Sequence, residues 1–231
     1  MTSTPNDTVW VVLAVFNEAS VVGDVVRGLR VAFPHVVCVD DGSADDSAGH
    51  ASRAGAVVVR HPVNLGQGAA LQTGFEYALR DPGMRYVVTY DADGQHQVDD
   101  VRLMLDRIRA GDVDVVFGSR FLDERTSPSL VRALVLRAAV AYTNLTTHTK
   151  LSDAHNGLRV LSRDVVARLQ ITQNRMAHAT ELVGQVGAMT LAGRPVRYAE
   201  APVHILYTEY SSEKGQSLWN AINILVDLIL H

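Results

Sequence analysis

The chain has 231 residues, 47% of them hydrophobic, enough to bury a sizeable α/β core in one domain. With 21 basic and 25 acidic residues its formal net charge is −4, so no overall basic field draws it to nucleic acid. Its single cysteine, Cys38, excludes an intrachain disulfide framework.

Cys38 falls inside an apolar run, where a buried, inert thiol is expected and a reducing interior is the natural compartment. Met1 to Thr8 is polar and lacks the basic segment and apolar core of a secretory signal; residues 1–8 are expected to be a flexible N-terminus. No uninterrupted apolar run reaches the length of a membrane span, and the longest candidate, near the C-terminus, is broken by Asn223 and Asp227.

From Val9 to Gly118 short apolar runs alternate with amphipathic stretches in a βα rhythm, the pattern of a Rossmann-like, mostly parallel sheet flanked by helices. Strands are predicted at Val9–Val15, Val36–Val39, Ala56–Val59, Tyr86–Tyr90 and Val113–Phe117, rich in valine and suited to burial on both faces. Helices are predicted to start near Glu18, Ala44, Gly66 and Val98, with Ser43 as a natural cap and Asp99 and Asp100 in a first turn. Past Arg120 the rhythm changes. Ser127 to Thr147 reads as helical and carries Arg132 and Arg137, followed by the polar turn Ser152 to Gly157. A helix from Ala177 to Leu191 and an extended run from Pro195 to Leu206 lead to a loop ending at Lys214-Gly215-Gln216-Ser217. The segment 218–231 reads as a C-terminal amphipathic helix with Trp219, Ile222, Leu225, Val226 and Ile229 on its apolar side, suited to core packing, a protein contact or a membrane interface.

Chemistry concentrates at two strand ends. Asp91 and Asp93 follow the run Tyr86 to Thr89; alternate residues of an extended segment share a face, so the two carboxylates converge while Ala92 points away. Such a pair suits a hard divalent cation, which takes one or two protein carboxylates and fills its remaining positions with water and substrate phosphates; the competing reading is a solvated turn. A second acidic turn, Asp40-Asp41-Gly42-Ser43, follows Val36 to Val39. Ligands of open parallel sheets bind outside the carboxyl ends of the strands, so both turns belong to one site.

In chain order the motifs are Ala14-Val15-Phe16-Asn17-Glu18, Asp40-Asp41-Gly42-Ser43, Asn64-Leu65-Gly66-Gln67-Gly68, Asp91-Ala92-Asp93-Gly94-Gln95-His96 and Gly118-Ser119-Arg120. Together they resemble the family-2 glycosyltransferases of GT-A fold, and within them the polyprenyl-phosphate (dolichol-phosphate mannose synthase-like) sugar transferases. Asn156-Gly157-Leu158-Arg159 and Lys214-Gly215-Gln216-Ser217 are similar to that subgroup as well. The resemblance spans nearly the whole chain and implies a single GT-A domain over residues 9–217, with a nucleotide-binding half to residue 120 and an acceptor half from 121.

It further implies a nucleotide-sugar donor lying against Ala14, Phe16, Glu18, Val39, Asp40, Asp41, Gly66, Gly68, Asp91, Ala92 and Gln95, with Asp41 accepting from the base. Mg2+ or Mn2+ would be held by Asp91, Asp93 and Gln95. Arg120, Arg132 and Lys214 would clamp an acceptor phosphate; Arg120 suits that task because its planar fork can bind two phosphate oxygens at once. The competing role for Arg120 is a surface pair with Asp123 or Glu124. The family often has a basic residue where this chain has Gln67, and an arginine where it has Lys214. His178 and Glu181, spaced i, i+3, share a helical face and are either structural or a base beside the sugar; Asp153 and His155 either border the sugar or connect two elements.

The implied reaction inverts the anomeric carbon by direct displacement. A sugar-hydroxyl acceptor would require a general base such as Glu181, whereas a lipid monophosphate, whose second ionisation lies near about 6, is already anionic at neutral pH. The expected activity is therefore transfer from a UDP- or GDP-sugar to polyprenyl phosphate, at the cytoplasmic face of a membrane, by weak peripheral association or with a separate small membrane partner. A glycan-hydroxyl acceptor and a non-catalytic nucleotide-sugar-binding module are the alternatives.

Overall fold

The computed structural model describes residues 6–122, 130–174 and 177–206, with side chains of the first long helix of the second half described from Arg137 onward. The first half follows the expected rhythm: β1 (Val9–Val15), α1 (Val22–Ala32), β2 (His35–Asp40), α2 (Ser47–Arg53), β3 (Val57–Arg60), α3 (Gln67–Leu79), β4 (Tyr86–Thr89), α4 (Val98–Arg109) and β5 (Val115–Ser119). After a 3-10 turn at Arg120–Leu122 come α5 (Leu130–Thr147), β6 (Arg159–Ser162), α6 (Arg163–Val166), α7 (Ala177–Ala188), the short pair β7 (Thr190–Leu191) and β8 (Arg194–Pro195), and β9 (Tyr198–Pro202).

Seven strands form one sheet in the order β3-β2-β1-β4-β6-β5-β9. All neighbours are parallel except β6, which runs antiparallel to both β4 and β5. The strand order reverses beside β1: β2 and β3 extend to one side and β4 to the other. That switch point opens a crevice at the carboxyl ends of β1 and β4, where a ligand of an open α/β sheet binds. This arrangement is the GT-A type of mixed α/β sheet flanked by helices.

Alternation along β1 supplies both faces of the core. Val9, Val11, Leu13 and Val15 pack with Val26, Leu29 and Phe33 of the α1 side and Met104, Leu105 and Ile108 of α4. Trp10 and Val12 face Leu71 and Phe75 of α3, in a second cluster that reaches Leu182, Val183 and Val186 of α7. Cys38 lies in the first cluster, and burial pushes its thiol up to about 12, the inert state expected of it.

Several boundaries differ from expectation for local reasons. The α1 helix starts at Val22, four residues after Glu18. Asn17 takes a left-handed φ of 54°, and the Asn17 and Glu18 amides donate to Ser43 Oγ (2.9 Å) and Ser47 Oγ (2.7 Å). Ser43 thus fastens the β1 end instead of capping a helix, and α2 begins at Ser47. The expected flexible octet includes Asn6 to Thr8, which is tied down: Asn6 Nδ2 donates to Ala32 O (2.8 Å) and Arg109 Nη2 donates to Asn6 Oδ1 (3.0 Å). Strand β3 is a partly exposed sheet edge, unlike the doubly buried strand its valines suggest. The β6 strand has no counterpart in the sequence reading. Lys214 and the amphipathic segment 218–231 lie outside the described residues.

Gly74 sits where α3 crosses β1, and a Cβ there would collide with the Val12 side chain. Although alanine is about 1 kcal/mol better than glycine in a helix, Gly74→Ala is expected to destabilise by about 1–3 kcal/mol through overpacking. In the double variant with Val12→Ala, the two losses measured by chemical denaturation fall short of adding.

Candidate active site

A cavity of about 610 Å³ occupies the switch point, lined by the ends of β1, β2 and β4, the loop before α3, the turn before β6, and α7. Ala14, Phe16, Glu18, Asp41, Gly66, Asp91, Ala92 and Asp93, all expected in the site, line it.

At the β2 end two adjacent aspartates do different work. Asp40 is buried away from the cavity lining, accepting from Ser43 N (3.2 Å) and Arg60 Nε (3.1 Å). Asp41 turns toward the loop before α3: Oδ1 accepts from Leu65 N (2.9 Å) and pairs with His61 Nδ1 (2.7 Å), and Oδ2 accepts from Gly66 N (2.7 Å). Asp41 therefore holds the loop that brings Asn64, Gly66 and Gln67 into the wall. Val39 is fully buried in β2 and does not reach the cavity.

The glycines of this loop serve packing first. Gly66 has φ 97°, and a Cβ there would press into Asn174 at 2.7 Å. A Cβ on Gly68 would strike the Gln173 carbonyl, so Gly68 lets α3 meet the 173–174 segment and does not line the cavity.

At the β4 end, Asp91 Oδ2 pairs with His96 Nε2 at 2.9 Å, and Gln67 Nε2 stands 3.5 Å from Oδ1. His96 is itself buried against Tyr90, whose hydroxyl donates to the His96 carbonyl at 2.5 Å. Burial works to raise the Asp91 carboxyl, but the hydrogen bond and charge of His96, with the charge of Arg159, hold it below its ordinary value. Asp93 moves the other way: burial and the charge of Asp91 push it up to about 6, against one hydrogen bond from Gln95 N (3.0 Å).

An ionised Asp91 beside an Asp93 whose proton affinity it raises is a donor set that a cation would complement. Among the described residues no group of three or more His, Cys, Asp or Glu side chains is clustered for a metal. A divalent ion of the magnesium type fits, since it takes one or two protein carboxylates and leaves its other positions to water and phosphate. Gln95, expected as a third ligand, lies outside the lining; its backbone supports Asp93 through N–H and accepts from Leu206 N (2.9 Å).

The far wall comes from the turn 152–157. Glu200 on β9 accepts from Ser152 N (2.8 Å), Ser152 Oγ (2.8 Å) and Asp153 N (3.1 Å). The buried Asp153 in turn accepts from Arg120 Nε (2.6 Å) and Arg120 N (3.1 Å) through Oδ2. Arg120 is thus paired with Asp153 and does not line the cavity. Gly157 lies so close beneath Asp91 that a Cβ would collide with its carboxylate, and Thr89 Oγ1 donates to the Gly157 carbonyl at 2.6 Å.

Glu181 is committed elsewhere. Its carboxylate accepts from Thr172 N (3.0 Å), Thr172 Oγ1 (2.7 Å) and Gln173 N (2.8 Å), bracing the segment against which Gly68 packs. Its helical neighbour His178 lines the cavity instead, as do His155 and Arg159. Arg132 lies on α5 in the stretch whose side chains are not described. The sequence signal for His155 and Arg159 was their place in the polar turn and the following motif; burial, invisible in sequence, is what distinguishes them.

His155 is held neutral, since burial lowers its imidazole to about 4 from the ordinary 6.5. The unfolded chain takes up that proton first, so this residue's contribution is intact above about 6.5, is lost as pH falls toward 4, and is constant below. Between pH 7 and pH 5 the wild type is expected to lose about 2 kcal/mol more stability than His155→Gln. Urea denaturation at both pH values checks this; parallel losses would contradict it.

The model for glycosyl transferase family 2 matches residues 10–170. Over 97% of this chain and 92% of its own length, an uncharacterized protein of Methanocaldococcus jannaschii is 29% identical. The UDP-N-acetylglucosamine–dolichyl-phosphate N-acetylglucosaminyltransferase of Methanococcus voltae is 25% identical over 96% of this chain and 95% of its own. For the polyprenol monophosphomannose synthase of Mycolicibacterium smegmatis the values are 27%, 95% and 84%. Among solved structures, glucosyl-3-phosphoglycerate synthase of Mycobacterium tuberculosis, crystallised with Mn2+, UDP-glucose and phosphoglyceric acid, superposes with a TM-score of 0.66 at 20% identity, covering 96% of this chain and 79% of that one. The chain belongs to glycosyl transferase family 2 and is a glycosyltransferase.

Proposed function

We propose that the protein transfers a monosaccharide, with inversion, from a UDP- or GDP-sugar to the phosphate of a polyprenyl phosphate, using Mg2+ or Mn2+. The observation that carries the acceptor assignment is the commitment of the carboxylates on the acceptor side. Asp153 is tied to Arg120, Glu181 to the 172–173 backbone and Glu200 to the 152–153 turn. A hydroxyl acceptor needs a base to take its proton, whereas a phosphate monoester arrives largely anionic at neutral pH. Relatives of this chain include two whose names specify dolichyl phosphate and polyprenol monophosphate chemistry, which supports the same acceptor class.

In this reading Phe16, Glu18 and Asp41 face the nucleotide, while Asp91 and Asp93 hold the cation, with His96 fixing the Asp91 carboxylate. When bound, that ion supplies electrostatic stabilisation of the departing diphosphate. The acceptor oxygen forms its bond to the anomeric carbon as the bond to the nucleoside diphosphate breaks, and no proton has to move. Arg120, oriented by Asp153, joins Arg132 and Lys214 in the acceptor clamp. Among the described residues no helix is long and apolar enough to cross a membrane. A peripheral position at the cytoplasmic face, with or without a small membrane partner, would bring the site to its lipid.

The purified protein, given short polyprenyl phosphate, mixed UDP- and GDP-sugars and Mg2+ or Mn2+, is expected to add one sugar residue to the lipid, seen by mass spectrometry and abolished by chelator. Asp93→Asn should reduce that turnover by at least about 100-fold. Sugar transfer to a glycan hydroxyl with no lipid product would sink the acceptor assignment.

A further inference from the structure

Arg159 and Arg163 stand four residues apart at either end of β6, and they are satisfied in opposite ways. Arg163 donates to the carbonyls of Asp81 (2.8 Å), Met84 (3.2 Å) and Leu79 (3.1 Å), as a structural arginine does. Arg159 is 2% exposed and is among the largest fully buried side chains, and it lines the cavity. Its Nε is sealed from solvent without a partner. A guanidinium presents five donors, and leaving them unpaired in the interior is strongly unfavourable unless something else accepts from them.

The neighbours do not fill that role. The carboxylates whose charge reaches Arg159 are Asp91 and Asp153. Asp91 is engaged by His96, and Asp153 Oδ2 by Arg120. The segment entering β6 carries further sealed polar atoms without partners, namely Asp153 Oδ1, His155 Nδ1 and Asn156 Nδ2. Arg159 is also the only Lys or Arg side chain in the described cavity lining, where Glu18, Asp41, Asp91 and Asp93 supply four negative groups. A phosphorylated ligand entering such a wall meets one built-in cation.

We propose that Arg159 is a phosphoryl-oxygen binding residue in the cavity wall, its planar fork suited to two oxygens of one anion. This rests on the glycosyltransferase reading above. The anionic oxygens can come from the nucleoside diphosphate or from the prenyl monophosphate, and both are phosphoryl oxygens of the same chemistry.

The test compares Arg159→Met, Arg159→Lys and the structural control Arg163→Met with wild type in the full chain. Calorimetry with Mn2+ present reads binding of UDP and GDP in one arm, UMP and GMP in a second, and a short isoprenyl monophosphate in a third. Thermal melting without ligand is recorded for each protein. Arg159→Met is expected to melt within a few degrees of wild type, because it removes a buried charge whose Nε has no partner, while Arg163→Met, which loses three carbonyl contacts, melts well below both. At the same time Arg159→Met should lose at least tenfold in affinity for a phosphorylated ligand, and Arg159→Lys, which keeps the charge without the fork, an intermediate amount.

Loss confined to the nucleoside diphosphates assigns the donor, loss confined to the prenyl phosphate assigns the acceptor, and loss in both assigns a shared contact. Unchanged binding in all arms overturns the proposal. So does a drop in melting temperature matching that of Arg163→Met in both Arg159 variants, accompanied by equal weakening of every ligand, since Arg159 would then be structural. None of these arms requires turnover. A wild-type protein that binds but transfers no sugar to lipid would therefore count against the proposed function and leave the Arg159 assignment standing.

Discussion

Carboxylates gathered at the buried edge of a sheet must each find donors or a counter-charge, and the loops around the cavity are arranged by that requirement. Asp41 recruits three donors from the segment 61–66, and in doing so sets the position of the loop that closes one side of the site. Asp153 recruits Arg120, and Glu200 recruits the turn that carries Asp153. Asp93, by contrast, keeps a carboxyl raised by burial and by the charge of Asp91, a repulsion that a cation beside the pair would relieve.

The acidic strand ends were readable from sequence because they obey local rules. A valine run followed by an acidic turn identifies a strand end, and in a parallel sheet all such ends share an edge. Asp41, Asp91 and Asp93 were found that way, Phe16 and Glu18 through the family resemblance, and all five meet in one cavity. What local rules could not convey was which acidic residue of a pair faces the ligand. Asp40 and Asp41 are indistinguishable as letters, yet alternation along an extended chain sends one to Arg60 and the other to the cavity wall.

The acceptor side was harder for a different reason: its elements are defined by distant partners. The four residues of β6 begin with an arginine and follow a polar turn, so nothing in their periodicity announces a strand. Hydrogen bonding from β4 and β5 on its two sides makes them one. Glu181 shows a structural role that spacing alone left open. Helical spacing correctly placed it on a face with His178, but a carboxylate beside three unpaired loop donors satisfies those donors first, and bracing the 172–173 segment takes precedence over chemistry. At Gly66 and Gly68 neighbouring protein atoms occupy the space a Cβ would need, a packing demand set by the distant 171–178 segment and not visible in the loop's own sequence.

The reversed direction of β6 has a consequence for how such a site can vary. Because β6 runs against β4 and β5, it is the beginning of the strand, at Arg159 opposite Thr89 and Phe117, that lies at the cavity edge. The turn that feeds it is thereby suspended over the pocket, while the far end of β6 is anchored below by Arg163. Length or sequence changes in residues 152–157 can reshape the pocket wall without altering the register of a single strand. The pocket wall formed by His155 and Gly157 is thus supplied by a turn and not by a strand of the sheet.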